Sequence, residues 1–189
     1  REMNVIQICS TCKIDKPLSE YWGDSTLQAS PEGFNMNTPT PEPERGKRVI
    51  CDLDGTLANL DHRLPLIKKV SPEWDKFFLL SEFDSPIQWC IDLLSVLFDA
   101  GYTIEIVSGR PFDDTTLPWL RKHGVKFHAL WLLGDRKTPD EKLKRDWLKL
   151  QKDKSDIAFV IDDRQKVVDM WRREGLVCLQ CNAWEEYKK

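Results

Sequence analysis

Asp52 and Asp54 stand one residue apart in VICDLDGT, where an apolar run gives way to Gly55. Carboxylates so spaced can hold a hard cation such as Mg²⁺ through one side chain and a neighbouring backbone carbonyl, which leaves the other side chain free for proton transfer. A Mg²⁺ there also shields the repulsion between an attacking carboxylate and a phosphate dianion. Asp162 and Asp163, closing IAFVIDD, add two further anionic ligands. In IVSGR, Ser108 offers a hydroxyl, Gly109 allows close backbone approach, and Arg110 supplies a planar fork that matches phosphate oxygens. Lys144 lies near the start of a helical pattern, so its cation sits beside a helix N-terminus that itself suits an anion. Lys142 competes for that role, and the spacing of Lys144 from Asp140 and Asp162 favours Lys144.

These residues need elements to hold them on one side. RVICDLD, TIEIVSGR, FHALWLLGD, IAFVIDD and LVCLQC read as strands, and helical patterns alternate with them. SPIQWCIDLLSVLFDAG reads as a helix with Ser85 as cap, Pro86 in its first turn and Gly101 past its end. TTLPWLRKHG reads as a short helix. TPDEKLKRDWLKLQK opens with Thr138, Pro139 and Glu141 as a capping box and spaces Leu143, Trp147 and Leu150 along one stripe. RQKVVDMWRREG is a helix ended by Gly175, with Trp171 on its core face. Strand and helix in alternation predict an α/β fold, a parallel sheet with right-handed crossovers and helices on both faces. In such a sheet ligands sit at the carboxyl ends of the strands, and DLDGT, SGR, GD and DDR all fall there.

Any one of these clusters alone would be read as a solvated strand end or a loop. Together and in order they resemble the haloacid dehalogenase superfamily of phosphohydrolases. DLDGT matches its first motif, the Ser of VSGR its second, Lys144 its third and IDD its fourth. A narrower resemblance, over roughly residues 47–181, is to the 3′-phosphatase domain of phage-type polynucleotide kinase/phosphatase, carried by VSGR, IDDRQKVVDMWRREGLVCLQC, ANLDHR with Arg63, and the pairing of Asp140 with Lys144. The resemblance implies a haloacid-dehalogenase-like, Rossmann-like fold with a small cap insertion, here about residues 60–86. It implies that Asp52 forms an aspartyl-phosphate, that Asp54 handles the proton, and that Asp52, Asp54, Asp162 and Asp163 hold Mg²⁺. Ser108, Lys144 and Arg110 would stabilise the phosphoryl oxygens, with Gly109, Asp140 and Arg63 also in the site. The implied substrates are 3′-phosphorylated DNA or RNA ends, in nucleic-acid repair of phage or bacterial origin. No GxxxxGK[ST] loop occurs, so 5′-phosphorylation is not expected, and whether a separate kinase or ligase works beside the chain stays open.

The 189 residues accommodate one main domain and a small appendage. A net charge of −3 excludes a global field for polyanions, so any such contact is local. Most of the six cations from Lys142 to Lys154 read as a solvated helix face. No run suits a membrane span or a secretory signal, which predicts a cytoplasmic protein, in the host cytoplasm if phage-encoded, and Cys51 and Cys90 read as buried free thiols. Residues 1–46 read as an N-terminal appendage and a Pro-, Asn-, Thr- and Glu-rich linker, with the phosphatase domain over 47–189. Cys9 and Cys12 resemble half of a zinc module, a degenerate one, since the only other CxxC, Cys178 with Cys181, lies in a strand where residues three apart face opposite ways. In the cap, Arg63, Lys68, Lys69, Trp74 and Phe77 could hold a sugar-phosphate strand, although Trp74, Phe77 and Phe78 read first as one packing face. Two alternatives stay open: a phosphatase of mononucleotides, and a non-catalytic nucleic-acid-binding accessory protein.

Overall fold

In the computed structural model, residues 6–9, 15–16, 47–134 and 137–182 are described. The elements in chain order are β1 (Ile6–Cys9), β2 (Asp15–Lys16), β3 (Arg48–Cys51), β4 (Ala58–Asn59), α1 (Trp74–Leu79), β5 (Ser85–Pro86), α2 (Gln88–Asp99), β6 (Thr103–Pro111), α3 (Thr116–Lys122), β7 (Ala129–Gly134), α4 (Asp140–Lys149), β8 (Ile157–Asp162), α5 (Gln165–Arg173) and β9 (Cys178–Gln180). The main sheet runs β2-β1-β7-β6-β3-β8-β9. β7, β6, β3, β8 and β9 are parallel, and β1 and β2 add antiparallel pairings at one edge. The fold is α/β, as the alternation of strands and helices predicts.

The central strand shows why the parallel runs are apolar throughout. Val49 and Cys51 point into one core, and Ile50 between them points into the other. The first core is closed by Cys90, Ile91 and Leu94 of α2 with Trp119 and Leu120 of α3. Leu143, Trp147 and Leu148 of α4 close the second, with Val167, Val168, Met170 and Trp171 of α5. Both faces of the sheet are therefore covered, which leaves its strand ends to carry a site.

Several local expectations are corrected. Ser85 and Pro86 do not begin α2; they pair as β5 with β4, and the helix starts at Gln88 after Ile87, which makes no side-chain cap. That short ribbon ties together the two ends of the insertion, which between them holds single helical turns at Leu64–Leu66 and Leu80–Phe83 flanking α1. Pro139, not Thr138, is the cap residue of α4, and its carbonyl accepts from the amides of Lys142 and Leu143. Leu150 lies past the helix end and is exposed, so Leu148 takes its place in the buried stripe. Within the N-terminal appendage, Ile6–Cys9 forms β1, which pairs antiparallel with β7. Cys12 and the linker lie outside the described residues. Cys51 and Cys90 are buried and free, while Cys178 and Cys181 pack against opposite cores. Among the described residues, no helix is long and apolar enough to cross a membrane.

Candidate active site at the carboxyl edge of the sheet

β3 ends at Cys51, and Asp52 and Asp54 follow as the chain leaves the sheet. Gly55, at φ 88°, provides the left-handed turn that brings its amide onto the carbonyl of Ala58. Neighbouring β8 ends at Asp162, and Asp163 follows it. On the other side, β6 carries Ser108, Gly109 and Arg110 through a register shift against β7. A Cβ at Gly109 would overlap the Asp140 carboxylate, so glycine is what lets the N-terminus of α4 close onto β6. Every residue expected in the site converges on this edge.

Two charge networks occupy it. In the first, the buried Lys144 Nζ donates to Asp52 Oδ1 at 2.6 Å and to Asp162 Oδ2 at 3.0 Å, and it pairs with Asp140 at 3.2 Å. Asp162 is further fixed by the indole of Trp171 at 3.2 Å and the amide of Arg164 at 3.3 Å, while Thr56 donates to Asp52 Oδ2 at 3.3 Å. Lys142 is exposed and pairs with Asp146, so it is not in the site. Burial pushes the Asp52 carboxyl up to about 7, with Lys144 opposing and Asp162 and Asp140 reinforcing the rise. Burial, then the charges of Asp52 and Asp162, push Asp163 up to about 9. Lys144 is raised well above the ordinary lysine value: burial works against its charge, and Asp140, Asp162 and Asp52 outweigh burial.

In the second network, Arg110 Nη2 donates to Asp54 Oδ1 at 2.6 Å, and Arg63 Nη2 reaches the same oxygen at 2.5 Å. Behind them lies Asp84, fully buried, which accepts from Arg63 Nε at 2.7 Å and from Arg110 Nη2 at 2.8 Å. His62 Nε2 lies 2.9 Å from Asp84 Oδ1, and Arg63 stacks over Phe77 at 4.1 Å. Burial alone would raise the Asp54 carboxyl, but Arg110 and Arg63 together hold it well below the usual carboxylate range. Asp84, Thr56 and His62 were not anticipated from sequence. Asp84 sits 21 and 26 residues from the arginines it joins, a separation that no local spacing rule reads.

Both networks open into a cavity of about 690 Å³. Its floor includes Asp52, Asp54, Ser108 and Asp163; its outer wall is the insertion, through Leu64, Ile67, Trp74, Phe77 and Phe78. Trp74, Phe77 and Phe78 pack on one another, with ring centroids 5.4 to 6.1 Å apart, as one aromatic face that lines the cavity, Phe77 buried and Trp74 43% exposed. The residues fit a divalent cation. Asp52, Asp162 and Asp163 each present an oxygen within 4.8 Å of the others, and Asp163 Oδ1 is buried with no hydrogen-bond partner among the described residues. A buried carboxyl oxygen without a hydrogen-bond partner, close to two more carboxylates, is a donor set that suits a hard dication.

Residues 46–185 match the family described as the polynucleotide kinase PNKP phosphatase domain. The chain belongs to that family. It is a haloacid-dehalogenase-type phosphatase family, and the match spans both charge networks. Among solved structures, the chain resembles one from the Pnkp1/Rnl/Hen1 RNA repair complex at 30% identity and a TM-score of 0.63, over 76% of this chain and 45% of that one. A second Pnkp1/Rnl/Hen1 structure matches at 28% identity and a TM-score of 0.60, over 85% and 58%. The chain thus spans about half the length of these relatives. A haloacid-dehalogenase-like hydrolase from Streptococcus pneumoniae shares the fold at 13% identity and a TM-score of 0.51, over 72% and 84% of the two chains.

Proposed function

We propose that the chain is a Mg²⁺-dependent phosphatase that removes the 3′-phosphate from polynucleotide ends through an aspartyl-phosphate on Asp52. The observation that carries this reading is the placement of Asp52: a buried carboxylate on the floor of the cavity, with one oxygen held by Lys144 at 2.6 Å and Asp163 beside it. Family membership and the resemblance to a protein of an RNA repair complex support the substrate class.

An Asp52 oxygen attacks phosphorus, the bond from phosphorus to the sugar 3′-oxygen breaks, and Asp54 delivers a proton to that oxygen. Water then attacks the aspartyl-phosphate, Asp54 accepts its proton, and inorganic phosphate leaves as Asp52 is regenerated. Asp52, the backbone carbonyl of Asp54, and Asp163 or Asp162 would hold Mg²⁺, which supplies charge neutralisation between carboxylate and phosphate. Lys144 orients Asp52, and Ser108 and Arg110 line the space for the phosphoryl oxygens. Held by two guanidinium groups, Asp54 is ionised near neutrality and has no proton to deliver until that hold weakens. A phosphate dianion in the cavity competes for the N–H donors of Arg110, and each bond it draws from Arg110 raises the affinity of Asp54 for a proton.

Phosphate release with Mg²⁺ is measured from a 3′-phosphorylated oligonucleotide, the matching 3′-mononucleotide and the 5′-phosphorylated oligonucleotide, for the wild type and Asp52→Asn. Release chiefly from the 3′-phosphorylated strand, abolished in the variant, is expected. Release from the mononucleotide alone would make the chain a nucleotidase, and release unchanged in the variant would remove Asp52 as nucleophile.

A further inference from the structure

Beside the catalytic cavity, a second concavity of about 570 Å³ runs between α4 and α5. The two share Pro139, Glu141 and Lys166, so the second opens off the first across the start of α4. Lys142, Arg145 and Lys149 line it from α4, and Lys166 and Arg173 line it from α5. The first three recur at helical spacing and the last two lie seven apart, so each set forms one stripe and the stripes face a common groove. Against these five cations the lining holds two acids, Glu141 and Asp146. This is a local excess of positive charge on a chain whose net charge is −3.

A solvated helix face would scatter such cations. Here two helices bring them to one concavity that is continuous with the catalytic cavity. Among the pairings there, Asp146 is shared between Lys142 and Lys149 at the surface, and Arg145, half-buried, lies 3.6 Å from Glu174. The exposed pairs with Asp146 contribute little, so an incoming phosphate can replace them at low cost.

We infer that this groove is the track for the sugar-phosphate backbone of a single strand whose terminal 3′-phosphate lies in the catalytic cavity. The inference rests on the polynucleotide reading above. A strand entering this way meets the stripes of α4 and α5 one phosphate after another, and its affinity grows with length through release of counterions.

The test uses the full chain and 3′-phosphorylated single strands of one, two, four and eight nucleotides, compared with Lys149→Glu/Arg173→Glu. For the wild type, KM falls with length. The double variant loses about tenfold or more of that gain on the octamer, keeps the wild-type rate on the mononucleotide, and shows a slope of log affinity against log salt shallower by about 0.7 for each phosphate it no longer neutralises. Equilibrium binding of a fluorescent octanucleotide supplies the salt slope. If the variant handles the octamer as the wild type does, or the wild type shows no dependence on length, the groove is not the strand path and the end-phosphatase reading stands. If the wild type hydrolyses the mononucleotide and no oligonucleotide, that reading fails as well.

Discussion

Arg63 and Arg110, from the insertion and from β6, converge on one buried oxygen, Asp84 Oδ2, at 2.6 Å and 2.8 Å. Both also hold Asp54. Asp84 is thus the rear anchor of a four-membered charge cluster whose front member is the proton-transfer candidate, and it couples the insertion to the sheet edge.

Removing that anchor leaves two buried guanidinium groups with Asp54 as their remaining common carboxylate. Asp84→Ala is expected to cost about 3 to 5 kcal/mol of stability, and Asp84→Asn less, since it keeps the shape and part of the hydrogen bonding. Both should lower phosphate release. Denaturant unfolding and phosphate-release assays check this, and an Asp84→Ala protein as stable and active as the wild type would contradict the cluster's role.

Asp52→Asn should separate activity from stability. Loss of the attacking oxygen is expected to cut phosphate release by about 10⁴ or more. Because Asp52 is a buried carboxylate beside Asp162 and Asp140, the neutral amide relieves repulsion, and the melting temperature without metal should hold or rise. A large fall in melting temperature would show that its bond with Lys144 dominates instead.

The raised carboxyls predict how metal and pH are linked. Asp163, at about 9, and Asp52, at about 7, are both above the ordinary value near 4. Their protonated forms are therefore favoured in the folded protein. The stability this contributes is fully present below the ordinary value and is lost as pH rises toward about 9. Mg²⁺ binds the ionised forms, so its affinity increases with pH and binding expels protons. The gain in melting temperature on adding Mg²⁺ should be larger at pH 9 than at pH 6, and calorimetric heats should vary with the ionisation heat of the buffer. Equal gains at both values, with buffer-independent heats, would remove the carboxylates as ligands.

Gly109→Ala tests close packing of β6 on the start of α4. The added methyl overlaps the Asp140 carboxylate, so Asp140 must move and its pairing with Lys144 is disturbed. Activity is expected to fall by about a hundredfold with a small change in melting temperature, measured by phosphate release and thermal unfolding of the same preparation. A fully active variant would mean that Asp140 is free to shift without consequence.

The local pattern of residues determined the α/β alternation, the parallel strands and the edge on which Asp52, Ser108, Lys144 and Asp162 gather, because the two-residue period of a strand and the turn chemistry that ends it are properties of neighbours in the chain. Even the opposed directions of Cys178 and Cys181 follow from that period. Other features depend on what lies across space. Ser85 and Pro86 carry the composition of a helix start, yet they pair with Ala58 and Asn59, because closing the insertion gives their backbone a partner that the helix would not. Asp84 had no signature, since its meaning arises only when two distant arginines are brought onto it. The cations of α4 read as a solvated face until α5 packed alongside and set Lys166 and Arg173 opposite them. Short-range sterics and hydrophobic period are written in neighbouring residues; the charge partners of a buried side chain are assembled only by the fold.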